Sequence, residues 1–243
     1  MELTILHKDG KKAVLLVKDA SNSLLNALRR SILARLPAFA IDEVDFYENT
    51  SPMFNEYLAN RLALVPLSFD ESTSEDAKIS LSLDAEAVED TRTVYSHEIT
   101  SSDPAIKVFA EKIPLIKLGK GQKLRFEATA VLGTPVMHSK FQSAFANYAE
   151  LEDFKLSKKC KKCATAMVPR ESALDEKILP AAKIPEACLL CFDCEDLLKS
   201  KIPSGMYVLT IESFNNLPPL QHLKRAVELI DSSLEKLSKE LKE

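Results

Sequence analysis

The 243-residue sequence contains few glycines and histidines and no tryptophan, and the first two shortages limit the functions open to it. Five glycines are present, and they form no glycine-rich loop of the kind that binds a nucleotide phosphate. The four histidines stand far apart and belong to no zinc-protease or hydrolase motif. No nucleophile–base pair and no metal-binding carboxylate motif is apparent. The sequence therefore predicts a chain without polymerising or hydrolytic activity of its own.

The sequence also lacks long apolar runs and an excess of basic residues. No apolar run approaches the roughly 18 residues of a membrane helix, and residues 1–10 are charged, unlike a secretory signal. The net charge of −4 argues against a large basic surface for nucleic acid. We therefore expect a cytoplasmic globular protein, with no membrane contact and no direct specific contact with DNA.

The N-terminal residues predict a β-hairpin. Two apolar runs flank Lys8-Asp9-Gly10-Lys11, and Asp-Gly is a strong signal for a type I′ turn. Alternating apolar and polar residues, or a strand-like composition, predict further strands at 79–83, 91–99, 124–132 and 206–214. The chain between residues 48 and 150 is therefore predicted to be mostly β-structure.

Two helices are predicted on either side of a half-buried strand at 41–47. Ser21 or Asn22 can cap the first helix, whose apolar residues recur at helical spacing at Leu25, Leu28, Ile32 and Leu36. Ser51 is the expected N-cap of the second helix and Pro52 its first residue. Its apolar stripe is predicted at Phe54, Leu58 and Leu62. The arginines Arg29, Arg30 and Arg61 could bind phosphate, although such residues more often pair with acids at a protein interface.

The last helix has the clearest periodic pattern in the chain. Its apolar residues are spaced alternately three and four apart, and they are Leu220, Leu223, Val227, Ile230, Leu234, Leu237 and Leu241. This heptad seam predicts a continuous face that must be buried. The pattern alone leaves two interpretations open. The helix belongs to the core of this chain, or it is shared with a partner chain.

The five cysteines are confined to one segment. They follow the pattern Cys160-x-x-Cys163, then 24 residues, then Cys188-x-x-Cys191-x-x-Cys194. The triple Cys188, Cys191 and Cys194 is typical of the opening of an iron–sulfur motif, without its usual fourth cysteine and proline. Three thiolates suit a [3Fe–4S] cluster, and a fourth from Cys160 or Cys163 would allow [4Fe–4S]. A zinc site at four of the cysteines and free thiols remain as alternatives.

Three segments resemble one known family. The first is NALRRSILARLPAFAIDEVDFYENTSPMFNEYLANRLALVPL, from Asn26 to Leu67. The others are GTPVMHSKFQSAFANY, from Gly133 to Tyr148, and IESFNNLPPLQHLKRAVELI, from Ile211 to Ile230. Together they resemble the D subunit of archaeal DNA-directed RNA polymerase, a family related to the bacterial alpha subunit and to the third-largest subunit of eukaryotic RNA polymerase II. General helix physics does not demand this order of residues, so the first segment is a specific signal.

The resemblance implies an α+β fold in three parts. A discontinuous dimerisation domain is expected at residues 1–47 and 204–243, with a mostly-β domain inserted at 48–150. A small ferredoxin-like cysteine domain is expected at 151–203. Members of this family often carry such a domain, with one or two clusters or none.

The same resemblance implies a function and a set of partners. The chain is expected to be a non-catalytic assembly platform that pairs with the small L subunit. It would also dock the small N and P subunits and the second-largest subunit. The expected contacts with the L subunit are Leu25, Leu28, Ile32, Leu36, Leu223, Val227, Ile230, Leu234 and Leu237. The competing function is that of a free-standing iron–sulfur electron carrier or redox sensor.

Overall fold

A computed structural model describes residues 1–74, 76–152, 154–155, 178–179 and 203–241. The described strands and helices, in chain order, are β1 (Glu2–Lys8), β2 (Lys12–Lys18), α1 (Asn22–Ala34), β3 (Ala38–Asn49), α2 (Asn55–Ala63), β4 (Ile79–Glu86), β5 (Arg92–Tyr95), β6 (Thr100–Ser101), β7 (Pro114–Leu118), β8 (Lys123–Gly133), β9 (Ala144–Glu152), β10 (Phe154–Lys155), β11 (Ile178–Leu179), β12 (Pro203–Ser213) and α3 (Pro219–Glu240). The chain divides into two compact units. The first contains Met1–Arg29 and Ala146–Glu212, and the second contains Arg30–Phe145 and Ser213–Glu243.

The first unit is built on a four-stranded sheet in the order β1-β2-β12-β9. The predicted hairpin is confirmed, because β1 and β2 pair antiparallel. Strand β2 is an interior strand of this sheet, and it also pairs antiparallel with β12. Its apolar run places Leu15 and Val17 on one face of the sheet, and both are buried.

The turn of the hairpin differs from the predicted type I′. That turn requires a positive φ at both central residues, and neither Asp9 nor Gly10 has one. Instead the Asp9 carboxylate accepts hydrogen bonds from the backbone N–H groups of Lys11 and Lys12, both at 2.7 Å. These two bonds are the main reason that the pKa of the Asp9 carboxyl falls to about 2. The aspartate side chain therefore sets the turn, which the Asp-Gly pair alone does not reveal.

The second unit is built on a sheet in the order β3-β8-β4-β6, with a separate pair β5-β7. The alternation predicted for 79–83 and 124–132 is confirmed, because the apolar residues of β4 and most of those of β8 are buried on one face. Helix α2 contributes Leu58 and Leu62 to the same core. Strand β3 is longer than predicted and crosses the predicted domain boundary at 47/48. It pairs with β8 along its whole length.

The start of α2 was predicted incorrectly. The helix begins at Asn55 and not at Pro52, and Phe54 lies at the N-cap with its side chain mostly exposed. The Asn49 side chain holds the preceding loop in another conformation. It accepts bonds from the N–H and O–H of Ser51 and donates to the carbonyl of Met53. These bonds satisfy polar groups of the loop in a non-helical conformation. The first helical turn therefore begins after the loop, at Asn55.

The strand predicted at 91–99 is only partly correct. Strand β5 ends at Tyr95, and a 3₁₀ turn follows at Ser96–Glu98. The Glu98 carboxylate folds back and accepts the backbone N–H of Tyr95 at 2.8 Å. A local side-chain bond therefore competes with strand pairing at this point.

The fold is a mixture of sheets and helices, which agrees with the predicted α+β class. The ferredoxin-like domain stays a prediction, since most of residues 151–203 lie outside the described ones. The three-domain division also stays a prediction. Among the described helices, none is long and apolar enough to cross a membrane.

Candidate protein interface

Helix α3 is 22 residues long and begins where Pro218 and Pro219 predict it to begin. It packs on the rest of the second unit through a face that lies beside the heptad seam. His222 and Ala226 are fully buried on this face. Further along, the Ser233 hydroxyl accepts a hydrogen bond from the guanidinium of Arg35 at 3.1 Å. The residues of α3 that are fully buried against its own chain are therefore not residues of the heptad seam.

Arg225 is the main anchor of α3. Its guanidinium carbon lies 4.1 Å from the centroid of the Phe69 ring, within the range of a cation–π contact. It also donates to the carbonyl of Pro37 at 3.4 Å and lies 3.8 Å from the carboxylate of Glu71. Burial lowers the pKa of Arg225, and the charges of Glu71 and Glu228 oppose this shift. No local pattern predicts this anchor, because its contacts come from residues more than 150 positions away.

A buried polar cluster surrounds His222 at the start of α3. The His222 ring nitrogen Nε2 lies 3.0 Å from the hydroxyl oxygen of Ser213, which also contacts Asn215. Burial lowers the pKa of His222 to about 4, and the positive charge of Arg225 adds to this effect. His222 is therefore neutral at neutral pH. The arrangement positions the helix and does not resemble a catalytic site.

The heptad seam itself is largely uncovered. Val227, Leu234 and Leu237 are 50%, 58% and 52% exposed, and Leu241 is exposed as well. Leu220, Leu223 and Ile230 are partly buried. An apolar stripe of this length is unusual on a surface that faces only water, and it is typical of a site for a partner helix.

The predicted contacts in α1, and at Leu36 just after it, are placed differently. Leu25, Leu28, Ile32 and Leu36 are all buried within the single chain. Helix α1 begins as predicted, with the Ser21 hydroxyl accepting the N–H of Leu24 at 3.1 Å. A role of these four residues in pairing stays a prediction.

The five cysteines lie outside the described residues, so the predicted metal ligands stay a prediction. Within the described part of the chain, no group of three or more histidine, cysteine, aspartate or glutamate side chains could hold a metal ion.

Two exposed apolar residues on β1 are not predicted by the sequence pattern. Leu3 and Ile5 are 47% and 49% exposed, although their partners in the register, Val17 and Leu15, are buried. The buried face of the first sheet thus continues onto β1, where its side chains are about half exposed. The apolar pattern of the sequence predicts that these residues form a strand, but it does not show that the strand lies at the edge of the sheet.

Comparisons with known proteins give a consistent result. Residues 40–151 match the family model described as the RNA polymerase Rpb3/RpoA insert domain. The chain is 33% identical over 262 residues to DNA-directed RNA polymerase subunit Rpo3 of Pyrococcus furiosus, covering 98% of each chain. It is 32% identical to the Rpo3 subunit of Pyrococcus horikoshii, with 99% of this chain and 98% of the relative covered. The Rpo3 subunit of Pyrobaculum arsenaticum is 33% identical, with 98% and 95% covered.

Proposed function

The chain belongs to the family of archaeal DNA-directed RNA polymerase subunit Rpo3, and from this membership we propose that it is a non-catalytic assembly subunit of such a polymerase. Transcription of DNA into RNA is then the activity of the complete assembly, in the cytoplasm. The competing function, a free-standing electron carrier, has no support, because the relatives that span nearly the whole chain are polymerase subunits.

We infer that the exposed seam of α3 binds the small L subunit. The supporting observation is that α3 packs on its own chain through His222, Arg225 and Ala226, while four residues of the seam stay exposed: Val227, Leu234, Leu237 and Leu241. An apolar stripe that a helix leaves exposed in the single chain is typical of a surface that another chain covers. By the family resemblance, the small N and P subunits and the second-largest subunit are the other proposed partners.

The seam alone does not account for a stable pair. Fully burying an aliphatic side chain contributes about 1.5–3 kcal/mol, so covering the exposed parts of Val227, Leu234, Leu237 and Leu241 would add roughly 4–7 kcal/mol. A micromolar complex requires about 8 kcal/mol. The exposed Leu3 and Ile5 of β1 supply additional apolar area, which supports the prediction that the N-terminal hairpin takes part in pairing.

Size-exclusion chromatography with light scattering tests this proposal. The purified chain and the L subunit of the same organism should elute together with the mass of a 1:1 complex. A chain that remains separate from the L subunit at micromolar concentration would rule out the proposed pairing.

For the cysteine segment we propose an iron–sulfur cluster held by Cys188, Cys191 and Cys194, with Cys160 or Cys163 as a fourth ligand for [4Fe–4S]. The support is the spacing of Cys188-x-x-Cys191-x-x-Cys194, which is typical of an iron–sulfur motif, whereas a zinc site at Cys160, Cys163, Cys188 and Cys191 would not use this triple in full. Protein purified without oxygen should contain iron and acid-labile sulfide and should be brown. Stoichiometric zinc without sulfide would establish the alternative zinc site.

A further inference from the structure

The second unit carries another apolar surface, on the outer side of α2. Phe54 and Tyr57 are 71% and 68% exposed, and their ring centroids lie 6.5 Å apart. They line a surface pocket of about 520 Å³, whose other lining residues are Pro52, Met53, Asn60 and Arg61. Two exposed aromatic rings beside a pocket of this size are typical of a binding site.

Side-chain hydrogen bonds to the backbone support this surface. The Asn49 side chain donates to the carbonyl of Met53 at 2.9 Å and to the side-chain oxygen of Asn55 at 2.7 Å. Arg61, another residue of the lining, donates through Nε and Nη2 to the carbonyls of Leu115 and Pro114. A preorganised surface loses little entropy when a ligand binds to it.

The charge of the pocket selects the ligand. Arg61 is the only charged residue of the lining, and both of its bonded acceptors are neutral carbonyls. In the described part of the chain no carboxylate lies within ion-pair distance of Arg61. A guanidinium without a countercharge attracts a carboxylate and repels a lysine or arginine, even though aromatic rings attract cations.

We propose that this surface, formed by Pro52, Met53, Phe54, Tyr57, Asn60 and Arg61, binds a segment of another polymerase subunit that presents an apolar side chain next to an aspartate or glutamate. The apolar side chain lies against the rings of Phe54 and Tyr57, and the carboxylate lies near Arg61. The inference rests on the proposed function, since the occupant is another subunit of the same assembly. The surface shares no residue with the heptad seam of α3.

The test uses the polymerase assembled from all its subunits. Tyr57 is replaced by the photo-crosslinking residue p-benzoylphenylalanine, and the same replacement at Val88, which is 68% exposed, is the matched control. We expect a cross-link from position 57, and not from 88, to one subunit segment with an acidic residue within two positions of the cross-linked apolar one. Changing that acidic residue to its amide should lower the cross-link yield at least fivefold.

A second measurement uses the double substitution Phe54→Ser with Tyr57→Ser, against Val88→Ser. The amount of the cross-linked subunit that stays bound should be at least tenfold lower for the double variant. The pairing of this variant with the L subunit should be unchanged. A position-57 cross-link no stronger than at 88, a segment without an acidic residue, a cross-link to a second copy of this chain, or an amide change without effect would each overturn the inference. Failure to pair with the L subunit would instead contradict the proposed function.

Discussion

The two halves of α3 have the same heptad pattern and different surroundings. In the N-terminal half, His222, Arg225 and Ala226 fix the helix to its own chain. In the C-terminal half, Leu234 and Leu237 remain more than half exposed. A periodic apolar stripe therefore predicts a face that becomes buried, and does not show what buries it. In α3, the heptad seam overlaps only partly with the face that its own chain covers.

The largest expected effect comes from placing charge in the exposed half. The substitutions Leu234→Asp and Leu237→Asp together should weaken pairing with the L subunit at least ~100-fold, because two carboxylates would have to be buried without partners. The free energy of unfolding of the isolated chain should change by no more than about 0.5 kcal/mol, as is usual for exposed positions. Calorimetric titration and denaturant unfolding measure the two quantities.

Lys236→Asp is the matched control for this experiment, since Lys236 is exposed and lies away from the seam. It should leave the affinity for the L subunit almost unchanged. Full affinity in the double variant would mean that the seam is not the pairing surface.

Lowering the pH should reduce the free energy of unfolding through His222, which lies in the N-terminal half of α3. The pKa of His222 is about 4 in the folded chain and 6.5 as its ordinary value, so the unfolded chain binds more protons between these values. The contribution of His222 to the free energy of unfolding is therefore complete above pH 6.5. It is lost as the pH falls toward 4, to a total of about 3 kcal/mol. Urea unfolding at a series of pH values measures this loss.

The His222→Gln variant separates this effect from the titration of carboxylates. Its unfolding free energy should fall less steeply between pH 6.5 and 4 than that of the unchanged chain. This comparison of slopes remains valid if the variant is less stable at every pH. Equal slopes would show that His222 does not titrate differently in the folded state.

The smallest effect is expected from added volume at two neighbouring positions. Ala226 is fully buried, so Ala226→Leu should destabilise the isolated chain by about 1–3 kcal/mol through overpacking. Val227 is half exposed, and Val227→Leu should change the stability by no more than about 0.5 kcal/mol. Thermal unfolding of both variants measures the difference. Equal losses at the two positions would contradict the assignment of the covered face.

Much of the fold follows from the sequence alone. Alternation of apolar residues predicts β4 and β8, and heptad spacing predicts α3, because the backbone geometry of strands and helices fixes which side chains share a face. The family resemblance also comes from the order of residues. The turn at Asp9 and the late start of α2 differ from the prediction, because the hydrogen bonds of one side chain decide each of them, Asp9 in the turn and Asn49 before the helix.

Only the tertiary structure decides which face of α3 its own chain covers. Pro37, Phe69 and Glu71 meet Arg225 because the chain folds back over more than 150 residues, and no local pattern encodes that meeting. The same holds for the pocket on α2, where the carbonyls of β7 hold Arg61 in place. Sequence periodicity is a property of neighbours along the chain, whereas burial depends on what the fold brings from elsewhere.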